Sequence, residues 1–281
     1  MLDRFITLKI TRVAAGAVTA VIALTPAIAA AQAGPAASTA DEIARYRQML
    51  AEDNPAELWE ARGAELWKKK AGPKNASLER CDLGKGPGVV RGAYAELPRY
   101  FSDSGRVMDL EQRLVYCRTT LQGLTPSEAT KTPFASPGNP SVIEAIVAYL
   151  AGQSRGIKMA ATAAHPAEMR AYEIGRQLFY FRGGSHGFAC ATCHSASGQR
   201  IRLQQLPNLL EKTDAQLTYA SWPAYRVSQG EVRSMQHRLI DCYRQQRFPE
   251  PAYASDSLTA LTMYLAKNAE GAVYAGPALR R

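Results

Sequence analysis

Paired metal-ligand spacings are nearly absent from this chain. Among its five cysteines only Cys190 and Cys193 form a Cys-x-x-Cys pair, and none of its four histidines are spaced as His-x₃₋₅-His. A structural zinc site closes a tetrahedron from two such pairs, so that class is excluded. Alternating runs of Val, Ile and Thr are few, which argues against an all-β chain. No βαβ pattern surrounds Cys190, so a thioredoxin-like redox pair is disfavoured. No basic low-complexity tail accompanies the formal charge of +9, which leaves little case for nucleic acid. Beyond the first thirty-odd residues, no segment is apolar enough to cross a membrane.

The N-terminus has the three parts of an export signal. Arg4, Lys9 and Arg12 precede an apolar run from Val13 to Leu24, and small residues follow, with Ala29, Ala31 and Ala33 all fitting a cleavage site. Taking 1–33 as the secretory segment removes one acid and three bases, and the +9 becomes +7. About 250 residues remain, enough for one large domain or two small ones. Their positive charge suits anionic small molecules or acidic proteins. Export predicts a periplasmic location, where disulfides persist.

Residues 190–194 read Cys190-Ala191-Thr192-Cys193-His194. Cys-x-x-Cys-His is the attachment signature of c-type haem. Two thiols on one helical turn add to the porphyrin's vinyl groups, and the adjacent imidazole becomes the proximal iron ligand. One covalent haem c is expected, held by Cys190, Cys193 and His194.

The remainder reads as mainly α. Helices are expected over 41–67 with a break at Asn54-Pro55, over 141–151 between Pro140 and Gly152, over 168–181, and over 256–268. Two self-matches occur in the same order. Residues 145–151 (AIVAYLA) resemble 260–266 (ALTMYLA), and 113–117 (RLVYC) resemble 238–242 (RLIDC). Together they predict a duplicated unit of roughly 115–125 residues. The predicted architecture is two tandem cytochrome c-like domains, 34–152 without haem and 167–281 with it, joined by a Gly-, Ser- and Ala-rich linker at 153–166. Gly175 would let the closing helix come close. The first half has only Cys81 and Cys117, and a disulfide between them is expected in place of the cofactor.

The second ligand of the iron is open on residue type alone. Met235, Met263, His186, His237 and Cys242 are the candidates, with His237 expected at the surface and Met263 in the core. A methionine or histidine there would make a simple periplasmic electron carrier. Cys242 stands out because Cys117 fills the same slot in the first half. On a helix over 236–244, Arg238 and Cys242 are four residues apart and share a face. A guanidinium beside the sulfur favours the thiolate and can bind an anion.

These residues carry a family resemblance. The motif at 190–194, the segment 237–251 (HRLIDCYRQQRFPEP), the segment 97–118 and the run SRGIK at 154–158 resemble SoxA, the larger cytochrome subunit of SoxAX complexes. The resemblance implies an L-cysteine S-thiosulfotransferase. Such an enzyme pairs with a SoxX-like small c-type cytochrome and couples thiosulfate to a cysteine of a SoxYZ-like sulfur carrier. Electrons leave through haem to a downstream cytochrome c. It implies Cys242 as distal iron ligand and catalytic residue, carried as a persulfide, and Arg238 as the thiosulfate contact. Arg247 is added as a second anion contact. Many family members carry a second haem in the first half. Lacking Cys-x-x-Cys-His there, this chain resembles the mono-haem branch, with Cys81 and Cys117 as the disulfide.

Overall fold

Helix starts in this chain are set by side-chain caps, and the caps place the elements. The structure is a computed structural model that describes residues 38–280 apart from 137 and 202–203; the expected secretory segment 1–33 lies outside the described residues. The helices are α1 (Thr39–Glu52), α2 (Ala56–Lys68), α3 (Leu110–Thr120), α4 (Pro126–Ala129), α5 (Val142–Gly152), α6 (Pro166–Tyr180), α7 (Cys190–His194), α8 (Lys212–Tyr219), α9 (Met235–Gln245) and α10 (Asp256–Asn268). Short strands join them: β1 (Arg99–Phe101), β2 (Arg106–Met108), β3 (Arg200–Ile201), β4 (Gln204–Gln205), β5 (Ala224–Arg226), β6 (Glu231–Arg233) and β7 (Ala278–Arg280). Asp109 caps α3 by accepting from the Gln112 N–H, Ser141 caps α5 from Glu144, and Ser234 caps α9 from His237. Each cap satisfies one of the orphan N–H groups of a first turn. The expected break at Asn54-Pro55 falls between α1 and α2. Gly152 ends up inside α5 rather than after it.

The fold is mainly α and built twice. In the first half α2 crosses α5, and in the second α6 crosses α10. Both crossings need glycine for the same reason. A Cβ on Gly63 would lie 2.0 Å from the Ala145 carbonyl oxygen, and one on Gly175 would lie 2.0 Å from that of Ala260. Real Cβ atoms do not approach an oxygen so closely, so any larger residue would force the pairs apart.

The repeat extends well past the two short self-matches. Residues 97–117 and 222–242 align without a gap, sharing Pro98/Pro223, Tyr100/Tyr225, Gly105/Gly230, Val107/Val232, Arg113/Arg238, Leu114/Leu239 and Cys117/Cys242. Both segments open on a cis peptide, at Leu97-Pro98 and Trp222-Pro223. The β1–β2 pair has Arg99 opposite Met108, and β5–β6 has Ala224 opposite Arg233, the same register in each. Strand β7 adds to β5 in parallel.

The two halves share one core, in which Leu110, Leu114, Ile143 and Leu150 of the first pack with Leu258, Leu261 and Tyr264 of the second. The segment expected as a linker, 153–166, is packed against both. The Met159 N–H donates to the Ala272 carbonyl at 2.8 Å and the Ala160 N–H to the Ala95 carbonyl at 2.7 Å, with Met159 and Ala161 buried.

Candidate functional site

The Cys-x-x-Cys-His run forms α7, a single helical turn following α6 through a tight β-bridge between Gly183 and Phe188. That turn places the free thiols of Cys190 and Cys193 and the imidazole of His194 together. His194 Nδ1 lies 2.9 Å from the Pro207 carbonyl oxygen, which can only accept. Nδ1 therefore carries the proton, and Nε2 keeps a lone pair for a metal. Burial, and then the Arg238 charge, push the His194 pKa down, which keeps the ring in its neutral, ligating form.

Helix α9 brings two more residues within electrostatic range of this turn. Arg238 and Cys242 lie one turn apart on the helix, as the spacing predicted. Burial pushes the Cys242 thiol up, while the Arg238 and Arg226 guanidiniums pull it back toward the thiolate; Asp241 and Cys193 work against them. Cys242 in turn raises Cys190, whose thiol burial pushes up to about 12. These couplings bring Cys190, Cys193, His194, Arg226, Arg238 and Cys242 into one locality. Among the described residues no group of three His, Cys, Asp or Glu side chains forms a metal centre. A metal held by His194 and Cys242 would need further ligands from outside the chain, and a porphyrin would supply them. The donor set fits a covalently held haem c.

Of the other residues weighed for the iron, none joins this locality. His237, expected at the surface, is buried, because its Nδ1 meets Glu144 Oε1 at 2.7 Å and its ring stacks on Phe134 with centroids 4.2 Å apart. Met235 lines a small void with Tyr94, Asp109 and Tyr219 between the halves. Met263 is fully buried in α10, and His186 is exposed in its loop. Arg247 is exposed beyond the end of α9, with a left-handed backbone and its carbonyl against Gly184, and no hydrogen bond or ion pair among the described residues draws it to Cys242.

What holds α9 in place comes largely from the first half. Glu111 Oε1 accepts from the Ser234 hydroxyl at 2.7 Å and its Oε2 from the Gln236 N–H at 3.0 Å. Asp109 Oδ2 accepts from Gln236 Nε2 at 2.7 Å. These acids sit at the positive end of the helix macrodipole. On the far flank, Asp241 accepts from both Arg233 and Arg244, and Arg233 also holds Glu231 at 3.1 Å.

The same positions in the first half are filled. Its β-bridge, Ala71 to Ala76, precedes Leu78-Glu79-Arg80-Cys81-Asp82 just as Gly183–Phe188 precedes the attachment run. Leu78, Cys81 and Asp82 thus stand where Cys190, Cys193 and His194 stand in the second half. Cys81 is joined by a disulfide to Cys117, the counterpart of Cys242. Arg113, the counterpart of Arg238, is buried with its guanidinium 4.0 Å from the Phe101 ring centroid and 4.8 Å from that of Tyr116. It donates to the Asp82 carbonyl at 2.6 Å and to both Asp103 carboxylate oxygens at 2.9 and 2.8 Å.

The model of the SoxA/TsdA cytochrome c domain matches this chain over residues 62–159 and 174–273, one stretch in each half. The L-cysteine S-thiosulfotransferase subunit SoxA of Hydrogenophilus thermoluteolus is 46% identical over 270 residues, covering 94% of this chain and 98% of the relative. A SoxA of Hydrogenobacter thermophilus is 33% identical, covering 86% and 89%. Among solved structures, SoxXA from Paracoccus pantotrophus superposes with a TM-score of 0.68 at 25% identity, over 84% of each chain.

Proposed function

The chain belongs to the SoxA family, the cytochrome c subunits of L-cysteine S-thiosulfotransferases, and from that premise we propose that its second half does the chemistry, with Cys242 handling sulfur and Arg238 receiving the substrate. The observation that carries this is the shared face of α9, where Arg238 and Cys242 lie one turn apart and the Arg238 charge acts on both the Cys242 thiol and the His194 imidazole. Cys190 and Cys193 would hold haem c by thioether bonds, and His194 and Cys242 would be its iron ligands. When bound, the haem would supply a one-electron acceptor at this site.

Arg238 binds the sulfonate end of thiosulfate by charge-assisted hydrogen bonds and turns the sulfane sulfur toward Cys242. The net reaction joins that sulfane sulfur to the thiol sulfur of a carrier cysteine on a SoxYZ-like protein. The S–H bond breaks, one proton leaves, and the two electrons released are taken up by a downstream cytochrome c as the oxidant. Cys242 is the residue on which the sulfur is held during the transfer. The solved relative is a SoxXA assembly, which supports a SoxX-like small cytochrome as the partner of this chain. The export signal supports a periplasmic location.

This chain contributes a single haem to the reaction. Leu78 and Asp82 offer neither a thioether nor an imidazole in the first half, and the disulfide takes up its two cysteine thiols. Domain 34–152 is then a scaffold that positions α9.

The test replaces Cys242 with Ala in the complex with its cytochrome partner. Thiosulfate-dependent cytochrome reduction is lost, while haem absorbance and intact mass still show one attached haem. Undiminished turnover in that variant overturns the assignment.

A further inference from the structure

The first half contains an internal model of an occupied anion site. Arg113 there grips the Asp103 carboxylate with two parallel hydrogen bonds, at 2.9 and 2.8 Å, and this contact holds the Asp103 carboxyl below its usual range. Asp103 sits in the turn between β1 and β2, where the Gly105 N–H closes on the Phe101 carbonyl at 2.9 Å. The turn between β5 and β6 closes the same way, the Gly230 N–H reaching the Arg226 carbonyl at 2.8 Å. The ungapped alignment puts Ser228 at the place of Asp103 and Arg226 at that of Phe101. Three exchanges separate the halves at this spot, and one of them, Tyr116 to Asp241, brings in an acid that Arg233 and Arg244 hold. The other two decide the charge. The built-in carboxylate becomes a neutral hydroxyl, and the aromatic platform under the guanidinium becomes a second guanidinium.

The result is a pair of cations with no assigned counter-charge. Arg233 and Arg244 are committed to Glu231 and Asp241. Among the described residues neither Arg226 nor Arg238 has a carboxylate partner, and the one side-chain hydrogen bond of Arg226 goes to Gln229 at 3.3 Å. Both guanidiniums nonetheless act on Cys242. Burial, then Arg238 and Arg233, lower the Arg226 pKa, so its charge is held against its surroundings. A doubly charged oxyanion between Arg226 and Arg238 would relieve that repulsion.

We propose that Arg226 is a second substrate-binding residue, which together with Arg238 holds the oxyanion end of the substrate at the position the Asp103 carboxylate occupies in the first half, a position open here because Ser228 replaces the acid. The inference rests on the reading of Cys242 and Arg238 as the reacting site. It adds what selects the substrate: an acceptor group of two or three oxygens with spread negative charge, matched to two planar donors, with the sulfane sulfur left on the side of Cys242.

Two variants rebuild the first half's arrangement in the second. Ser228→Asp supplies the internal carboxylate, and Arg226→Phe removes the second cation. In the purified complex with the cytochrome partner, each raises the KM for thiosulfate by about tenfold or more, the loss of a charge-assisted contact or the gain of a competing one. Calorimetric titration with thiosulfate weakens in step, while the haem spectrum is unchanged, and Arg226→Lys recovers part of the affinity. Affinity within about twofold of the parent in both Ser228→Asp and Arg226→Phe, a change no larger than an exposed ion pair gives, overturns the proposal. Cys242→Ala separates the two levels. If it abolishes turnover while Arg226→Phe leaves thiosulfate binding intact, only the second contact fails; if it leaves turnover intact, the underlying reading fails.

Discussion

His237 of the second half and Glu144 of the first meet at 2.7 Å, Nδ1 to Oε1, and the bond has a mirror image: Gln112, at the equivalent place in the first half, accepts from Thr259 Oγ1 of the second at 3.0 Å. Each half thus reaches across from the first turn of its α3 or α9 to the closing helix of the other. Glu144 also receives the Ala135 N–H at 2.7 Å and the Ser234 N–H at 3.0 Å. Replacing it with Ala strands three buried donors at once. The expected loss is about 2–4 kcal/mol in chemical denaturation, since each unsatisfied buried group is costly. A loss below about 0.5 kcal/mol, the range of ordinary surface changes, would show that the bridge is not structural.

The acids under α9 make stability depend on pH in a definite direction. Burial, and then the charge of Asp109, raise Glu111 well above the ordinary carboxyl range. Folding therefore takes up a proton at Glu111. Its contribution to stability is complete below the unfolded carboxyl value and is lost as pH rises through the raised folded value. Glu111→Gln cannot titrate, so the stability gap between parent and variant narrows from about pH 5 to about pH 7.5. The expected narrowing is about 1 kcal/mol or more, the worth of one pKa unit. Denaturant midpoints at the two pH values measure it, and a gap that widens or stays constant refutes the assignment.

Arginines around Cys242 divide by what they hold, and two substitutions separate the classes. Arg233 is largely buried between Glu231 and Asp241, so Arg233→Gln strands the buried Glu231 carboxylate, leaves Asp241 to Arg244 alone, and costs about 3 kcal/mol of stability. Arg238 has no carboxylate partner among the described residues, so Arg238→Gln changes stability by less than about 0.5 kcal/mol. Its effect appears instead as a rise in KM for thiosulfate. Thermal melts and steady-state kinetics on both proteins give the crossed pattern, and parallel effects on the two readouts would break the distinction.

Local spacing made much of this legible and long-range pairing did not. Cys-x-x-Cys-His and the four-residue step from Arg238 to Cys242 are set by one helical turn, so each is visible in a short window of sequence. Gly175 and the closing helices were readable for the same reason. His237 was misread because its neighbours in sequence are polar, whereas its burial comes from Glu144 and Phe134 of the other half. Arg226 was missed because it gains meaning only from its counterpart Phe101. The signal was present as the ungapped match of 97–117 with 222–242, of which only the last five positions stand out by eye. Substitution at the very places where function diverged, Asp103 to Ser228 and Phe101 to Arg226, is what hides such a repeat.

The disulfide offers a test of which half is structural. Cys81 and Cys117 are 36 residues apart in sequence. Closing a loop of that size stabilises a fold by about 4 kcal/mol through the entropy of the unfolded chain. The double variant Cys81→Ala, Cys117→Ala should therefore lose about that much in denaturant titration. Its haem absorbance and thiosulfate KM, measured well below the melting temperature, should match the parent, because neither sulfur borders His194 or Cys242. Loss of the haem signal in a variant that is still folded by circular dichroism would place the first half inside the redox site. Retention of both readouts with the stability loss would fix it as the frame against which α9 is held.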